Sequence, residues 1–509
     1  MNRRIIAAGV LCSLMWAFVT LLSFGLPVSW CRWIDQATLG QFSGPVFEMA
    51  HGFHYEVFND DMPTAIFFVV FAAIFTLVFY VMTLVERGPA PKKTLTVIIF
   101  FSILFRFILW PGVMIHENDL YRYLWDGKVL SHGINPFKYA PADLDVYQKN
   151  IQQDFYDAAK GITIKSRRFT PSESKEIRAL IALRDRNPVF FERIGHPQVP
   201  TIYPPVTQAI FALTSMLRED SILLMKLVFI LFDIGVLFLI IKILRHLGRE
   251  PGLALVYGWS PLVLKEIPNS GHYDPIVIFF MMLAVWAYIR RRENIFIVSL
   301  ALSVLSKFFT LALLPIFRKA LDRKKCFFFG MLIGLFYLPF ILLGGTGIGV
   351  WNGLMVYNRD WVYNAGVFAV IKVAFKCLFP STGGSLFFPK IVTGVIYLAV
   401  LVRLTKNKDQ GDVSLLHNCF LALAALFILN PVADPWYFCW VIPFLCFFPY
   451  KSWILLSGLL ILSYSNFHSD FVFSGRAVLG TPVVNFFIYI PFLAYWIFES
   501  FFQRKRYLP

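Results

Sequence analysis

The sequence predicts an all-α polytopic membrane protein, and three observations carry that reading. Of 509 residues, 58% are hydrophobic and only 15% are charged, where soluble domains carry about a quarter. Several apolar runs reach the roughly 20 residues that a helix needs to cross a hydrocarbon core. The 47 Lys and Arg residues cluster in short loops between those runs, the pattern that keeps basic loops in the cytoplasm. The net charge of +16 is therefore a topology signal, and with no basic folded domain a nucleic-acid partner is excluded. Six of the seven cysteines, Cys12, Cys326, Cys377, Cys419, Cys439 and Cys446, lie in or beside apolar runs. Only Cys31 sits in a clear loop, so neither a disulfide framework nor a metal-binding spacing is expected.

Taken in order, the first run, 5–27, follows a basic "MNRR" and reads as an uncut first helix with a cytoplasmic start. Further spans are expected at 63–86, 94–115, 222–244, 252–267, 275–289, 327–344, 385–403, 413–430, 436–450, 452–466 and 482–501. The basic stretches "RGPAPKK", "RHLGRE", "RRRE", "RKALDRKK", "KNKD" and "QRKR" then all face the cytoplasm. The loop 116–203 falls on the opposite side. Residues 294–316 break the pattern, because basic clusters flank them on both sides. A re-entrant hairpin turning near Ser306 and Lys307 keeps both clusters inside; an ordinary helix with one misplaced cluster is the alternative. The stretches 203–217 and 367–379 are short and read as interfacial or half-length helices. The total is about twelve spans plus the hairpin, forming a single integral-membrane domain over 1–509. No internal repeat is evident.

Polar residues gather on the predicted outer side. "HENDLYRYLWDGKVLSHGINPFKYAP", residues 116–141, combines acids, cations, two His and a set of aromatics at the mouth of the third span. The whole loop 116–203 holds eleven of the 31 acidic residues. Glu117 and Asp119 stand at the water–lipid boundary, where a carboxylate beside aromatic walls can act as a base toward a hydroxyl. "LKEIPNSGHYDP" brings Lys265, Glu266, Asn269, His272 and Asp274 to an outer turn. "YNRDWVYNAG" adds Arg359, Asp360, Trp361 and Asn364, and "NPVADPWYF" adds Asp434, Trp436 and Tyr437. Each alone suits a surface turn, but ionisable residues near membrane depth are costly and mark sites by default. Lys307 sits mid-run, where a cation needs a partner, and an ammonium at a hairpin tip suits an anionic phosphate.

These residues carry a resemblance. The acid pair followed by "YRYLWDGKVLSHGINPFKY", then "YPP", "NSGHYD", "SKFF" with a later "LP", "WVYNAGVFA" and "PWY", resembles the GT-C superfamily of integral-membrane glycosyltransferases. Within it the chain looks most like the bacterial polyprenyl-phosphate-mannose-dependent mannosyltransferases. The resemblance implies a GT-C-like bundle of about 11–13 transmembrane helices with a large external first catalytic loop. It implies an inverting transferase in the cytoplasmic (inner) membrane that moves a sugar, mannose favoured, from a polyprenyl-phosphate donor to a glycan or glycolipid hydroxyl outside. The acid opening the first large external loop is the base in such enzymes; here that position is Asp119, with Glu117 as helper. Lys307 and Arg359 are candidate phosphate contacts, and Tyr123, Trp125, Trp361 and Trp436 candidate walls for the sugar. His272, Asp274 and Tyr437 complete the substrate-binding set. No cofactor is called for, and a divalent metal is not indicated.

Two rivals stand beside this reading. A transporter or flippase of lipid-linked sugars would also have many spans and an ionisable cavity, but inverted halves with matching broken helices are not evident. A non-catalytic subunit of a glycan-assembly complex would tolerate loss of the acids, which Glu117, Asp119 and Lys307 argue against.

Overall fold

A computed structural model describes residues 2–24, 64–87, 92–149, 170–343, 347–380, 385–406, 411–467, 472–473, 476–477 and 481–502. Cys31 lies outside them. The architecture is helical throughout, as lipid demands of a backbone that must satisfy its own hydrogen bonds. The only paired strands among the described residues are the two-residue Val472–Phe473 and Arg476–Ala477. Seven helices are long and apolar enough to cross a membrane: Asn2–Ser23, Ile66–Glu86, Ile222–His246, Arg323–Leu342, Phe387–Thr405, Asp412–Leu429 and Val483–Phe501. The chain is a multi-pass membrane protein.

Several expected spans take other shapes. The run 252–267 is four short turns, Pro251–Ala254, Leu255–Gly258, Pro261–Leu264 and the π-helical Lys265–Asn269. Pro251, Pro261 and Pro268 each remove a backbone donor and break the ladder. The run is buried almost throughout, so neighbouring protein replaces lipid around the irregular backbone. The run 436–450 is likewise broken into Pro435–Phe438 and Ile442–Leu445. The third helix, Lys92–Leu109, stops short of 115 and hands its last residues to the site.

Close helix contacts are made by small residues. Gly9 admits the Phe101 ring where a Cβ would lie 2.5 Å from it, the small-residue packing that membrane helices favour. Between Lys92–Leu109 and Ile222–His246, Arg106 Nε donates to Asp233 Oδ2 at 2.5 Å, both side chains fully buried. The same guanidinium donates to the carbonyls of Ser102 and Gly258, and Tyr257 Oη donates to Asp233 Oδ1.

Residues 293–325 double back. Glu293–Val304 ends at Leu305, Lys307 is extended, and a 3-10 turn, Phe308–Leu313, leads the chain away again. Phe317 returns to within 5.1 Å of Phe296 and 5.2 Å of Tyr288, ring to ring. Lys325 Nζ closes the loop on Glu293 Oε2 at 3.0 Å. The basic helix ends meet at this end of the bundle: Arg318 donates to the Thr405 carbonyl and His246 faces Asp412 at 3.2 Å. The Asp274–Ile289 helix has 16 residues and so spans about 24 Å. Its start and the tip at Lys307 lie together at the opposite end.

Candidate active site

The acids are placed by a clamped loop. After Leu109 the chain is held by Lys226 Nζ on the Gly112 carbonyl at 2.8 Å. Asn269 donates to Val113 O and accepts from Ile115 N, while Ser23 Oγ accepts from Val113 N. His116 turns through a left-handed φ of 61°, a conformation uncommon outside glycine. Its ring stacks on Tyr464 at 5.3 Å and meets the edge of Phe67 at 5.4 Å. Two residues after Glu117, Asp119 begins the Asp119–Ser131 helix, where the helix dipole favours an anion.

Asp119 keeps 30% of its side chain exposed, accepts a long hydrogen bond from Tyr123 and has His272 just beyond hydrogen-bonding distance. Tyr123 Oη is 3.4 Å from Asp119 Oδ2, and His272 Nδ1 is 4.0 Å from the same oxygen. His272 lies flat on Trp436, centroids 4.3 Å apart at 15°. Its Nε2 is 3.4 Å from Glu266 Oε2. Glu266 is fixed in turn by Lys265 Nζ at 3.2 Å and by Tyr464 Oη at 2.8 Å. Lys265 also lies 3.5 Å from the centroid of the Tyr464 ring. Glu117 is 7% exposed and its Oε1 is buried without a hydrogen-bond partner. Burial pushes its carboxyl well above the usual carboxylate range, with Lys265 pulling against that and Asp119 adding to it. Burial and the Asp119 charge do the same to Asp434.

Lys307 reaches the same end through the hairpin tip. Its ammonium donates to Asp274 Oδ1 at 2.8 Å and lies 4.5–5.1 Å from the ring centroids of Tyr273, Tyr437 and Trp440. Trp440 Nε1 donates to the same Asp274 oxygen at 2.5 Å. A cation thus sits in a three-ring aromatic cage with one buried counter-ion. Tyr437 stacks on Trp440 at 4.5 Å and exchanges a 2.9 Å hydrogen bond with Tyr357. Segments 361–366 and 430–434 are tied here, Tyr363 N donating to Pro431 O and Ala433 N to Tyr363 O.

The structure therefore brings together Glu117, Asp119, Tyr123, His272, Asp274, Lys307, Trp436 and Tyr437. Three sequence candidates stand apart. Trp125 projects from another side of its helix and packs edge-on against Phe191 at 4.9 Å. It lines a cavity of about 10 Å³ with Arg184 and Asp220, room for about one water. Arg359 is 74% exposed and spends its guanidinium on the neighbouring Asp360, at 2.7 and 2.9 Å. Trp361 packs against His196 at 4.8 Å and Tyr357 at 5.1 Å, at the rim. Sequence reasoning missed Tyr273 and Trp440. The aromatic spacing of Trp436, Tyr437 and Trp440, three and four residues apart, places them on one helical face and was the available signal. Among the described residues, no group of three or more His, Cys, Asp or Glu side chains is placed to hold a metal ion.

Residues 197–321, from the end of the loop 116–203 to beyond the Lys307 tip, match the family model of the alpha-(1->6)-mannopyranosyltransferase N-terminal domain. The chain is a glycosyltransferase, of the mannosyltransferase type. No curated protein and no solved structure matches it. The matched stretch supplies His272, Asp274 and Lys307 to the candidate site, together with Glu266. Glu117 and Asp119, and Trp436 and Tyr437, come from either side of it.

Proposed function

We propose that the protein transfers a mannosyl group, with inversion, from a polyprenyl-phosphate donor to an acceptor hydroxyl at the outer face of the cytoplasmic membrane. The observation that carries this reading is the partly exposed Asp119 carboxylate and the caged cation Lys307 on either side of the packed Tyr123 and Tyr273 rings, at the end of the bundle away from the basic clusters. Asp119 takes the proton of the acceptor hydroxyl as its oxygen attacks the anomeric carbon. The bond from that carbon to the phosphate oxygen breaks with its electron pair leaving on the lipid phosphate. Attack from the face opposite the phosphate inverts the centre. Lys307 offers its remaining N–H groups to the leaving phosphate, with charge that matters most in the transition state. His272, Trp436 and Tyr437 supply flat apolar faces for a sugar ring. The basic clusters at the other end favour the cytoplasm, which turns the acids outward. The whole chain works as one domain, and the reading calls for no cofactor. Arg359 is dropped as a phosphate contact because it is exposed and paired with Asp360.

The test is direct. Purified protein is incubated with a membrane lipid extract and a panel of radiolabelled polyprenyl-phosphate sugars, with the matching nucleotide sugars in parallel. Labelled product is expected from the mannosyl donor, and label transferred only from nucleotide sugars would overturn the donor assignment.

A further inference from the structure

We infer that Glu266 is a positioning residue for the transfer, acting through His272 to present the Nδ1 lone pair of that imidazole to Asp119. The inference rests on the reading of Asp119 as base. Glu266 is fully buried, and its carboxylate is anchored from behind by Lys265 and Tyr464. His272 cannot swing away, because Trp436 lies flat against its ring. Its two nitrogens therefore face two different acids: Nε2 toward Glu266 at 3.4 Å and Nδ1 toward Asp119 at 4.0 Å.

A neutral imidazole carries one proton, and the hydrogen-bonding partner of one nitrogen sets what the other can do. The anchored Glu266 has no proton to give, so it selects the Nε2–H tautomer. Nδ1 is then an acceptor. As Asp119 takes up the acceptor's proton it becomes a carboxylic acid, and its new O–H can donate to Nδ1. The hydrogen bond exists only after proton uptake, so it strengthens Asp119 as a base in the transition state rather than in the resting state. The proton leaves to water with the products, past the half-exposed Asp119. The distances are open, as catalytic contacts often are without substrate. Glu117 and Asp434 each interact electrostatically with both Asp119 and Glu266, and Lys265 with Glu266, while Asp274 and Lys307 reach this group through Asp434.

Replacing Glu266 by a neutral amide removes the selection. A glutamine can donate to Nε2 and favour the Nδ1–H tautomer, which donates to ionised Asp119 and weakens it as a base. The experiment measures mannosyl transfer by the full chain from polyprenyl-phosphate mannose to lipid extract, across pH, for Glu266→Gln. Because that change leaves Lys265 buried without its carboxylate, the charge-balanced Lys265→Met/Glu266→Gln variant is measured beside it. Tyr464→Phe, which loosens Glu266 without touching charge, is the third. Expected for both Glu266 variants is a fall in kcat of at least about tenfold, an unchanged donor KM, and an acid limb of the rate profile moved to lower pH. Tyr464→Phe moves the same way by less. A folded variant with wild-type kcat and profile overturns the inference, as does a loss of kcat with the acid limb unmoved. Asp119→Asn run in parallel separates the two claims. Full activity there removes the base reading itself, whereas an inactive Asp119→Asn beside an unaffected Glu266→Gln removes only this inference.

Discussion

Lys307→Met tests the caged cation most severely. The sequence alone suggests that deleting a charge from an apolar run relieves the fold. The structure gives the opposite sign. Asp274 is 1% exposed, and without the ammonium its carboxylate keeps only the Trp440 indole N–H as a partner. Breaking a buried pair by removing one member costs about 3–5 kcal/mol. The Lys307 side chain is 17% exposed, which places the value at the lower end, near about 3 kcal/mol. Lys307→Met/Asp274→Asn removes both charges while the asparagine oxygen still accepts from Trp440. That double change costs about 1 kcal/mol, one neutral hydrogen bond's worth. Because Asp274→Asn alone also breaks the pair and adds its own cost, the coupling between the sites is at least about 2 kcal/mol. The assay is reversible denaturant unfolding of the full chain in mixed micelles, read by tryptophan fluorescence, for wild type, both single variants and the double. Lys307→Met within about 0.5 kcal/mol of wild type, or a double variant no better than the single, refutes the pairing. Donor binding falls in both variants if the ammonium also holds the phosphate.

Asp119→Asn preserves shape and loses only the favourable charge at a helix start, about 0.3–1 kcal/mol; it folds, and transfer drops by about two to four powers of ten. Turnover within a few-fold of wild type moves the base to Glu117 or Asp274. Glu117 has a carboxyl raised by burial, so the fold gains from its protonated form and loses that gain as pH climbs from the unfolded carboxyl range through the raised folded value. Glu117→Gln mimics the protonated acid, so melting temperature between pH 5 and 9 should decline less steeply than in wild type; parallel curves count against a neutral Glu117. For orientation, single cysteines at Ser172 and Lys319 in a cysteine-free background should differ, an impermeant thiol reagent added to intact cells labelling the first alone. The reverse pattern inverts the chain.

What the sequence revealed, and what it hid, follows from contrast. In a chain that is 58% hydrophobic, Glu117, Asp119, His272 and Asp274 stand out at helix ends and Lys307 in the middle of an apolar run, and these are residues the structure assembles. Depth is harder to read. Lys265 and Glu266 resemble a solvated turn, because adjacency in sequence carries no information about burial, yet both are fully enclosed. Trp440 is hidden inside the apolar run 436–450, where lipid contact and site lining demand the same residue types. The same ambiguity makes 252–267 read as a span until Pro261 inside it and Pro251 and Pro268 at its edges are weighed. Arg359 shows the converse error, since proximity to Trp361 in sequence does not turn its side chain inward.

The Arg106–Asp233 pair has a consequence for how the chain is made. Arg106 leaves the ribosome 127 residues ahead of its carboxylate. At about 5–20 residues per second that is roughly 6–25 s of synthesis. For that interval an arginine in the last turn of an apolar helix is without its counter-charge, a burden below the roughly 2.5–3.5 kcal/mol of a mid-membrane arginine on the insertion scale. Lys92–Leu109 is therefore poorly suited to settle in lipid on its own. The segment that carries Glu117 and Asp119 is synthesised in between, so the site's acids are made before the ion pair that locks the bundle around them can form.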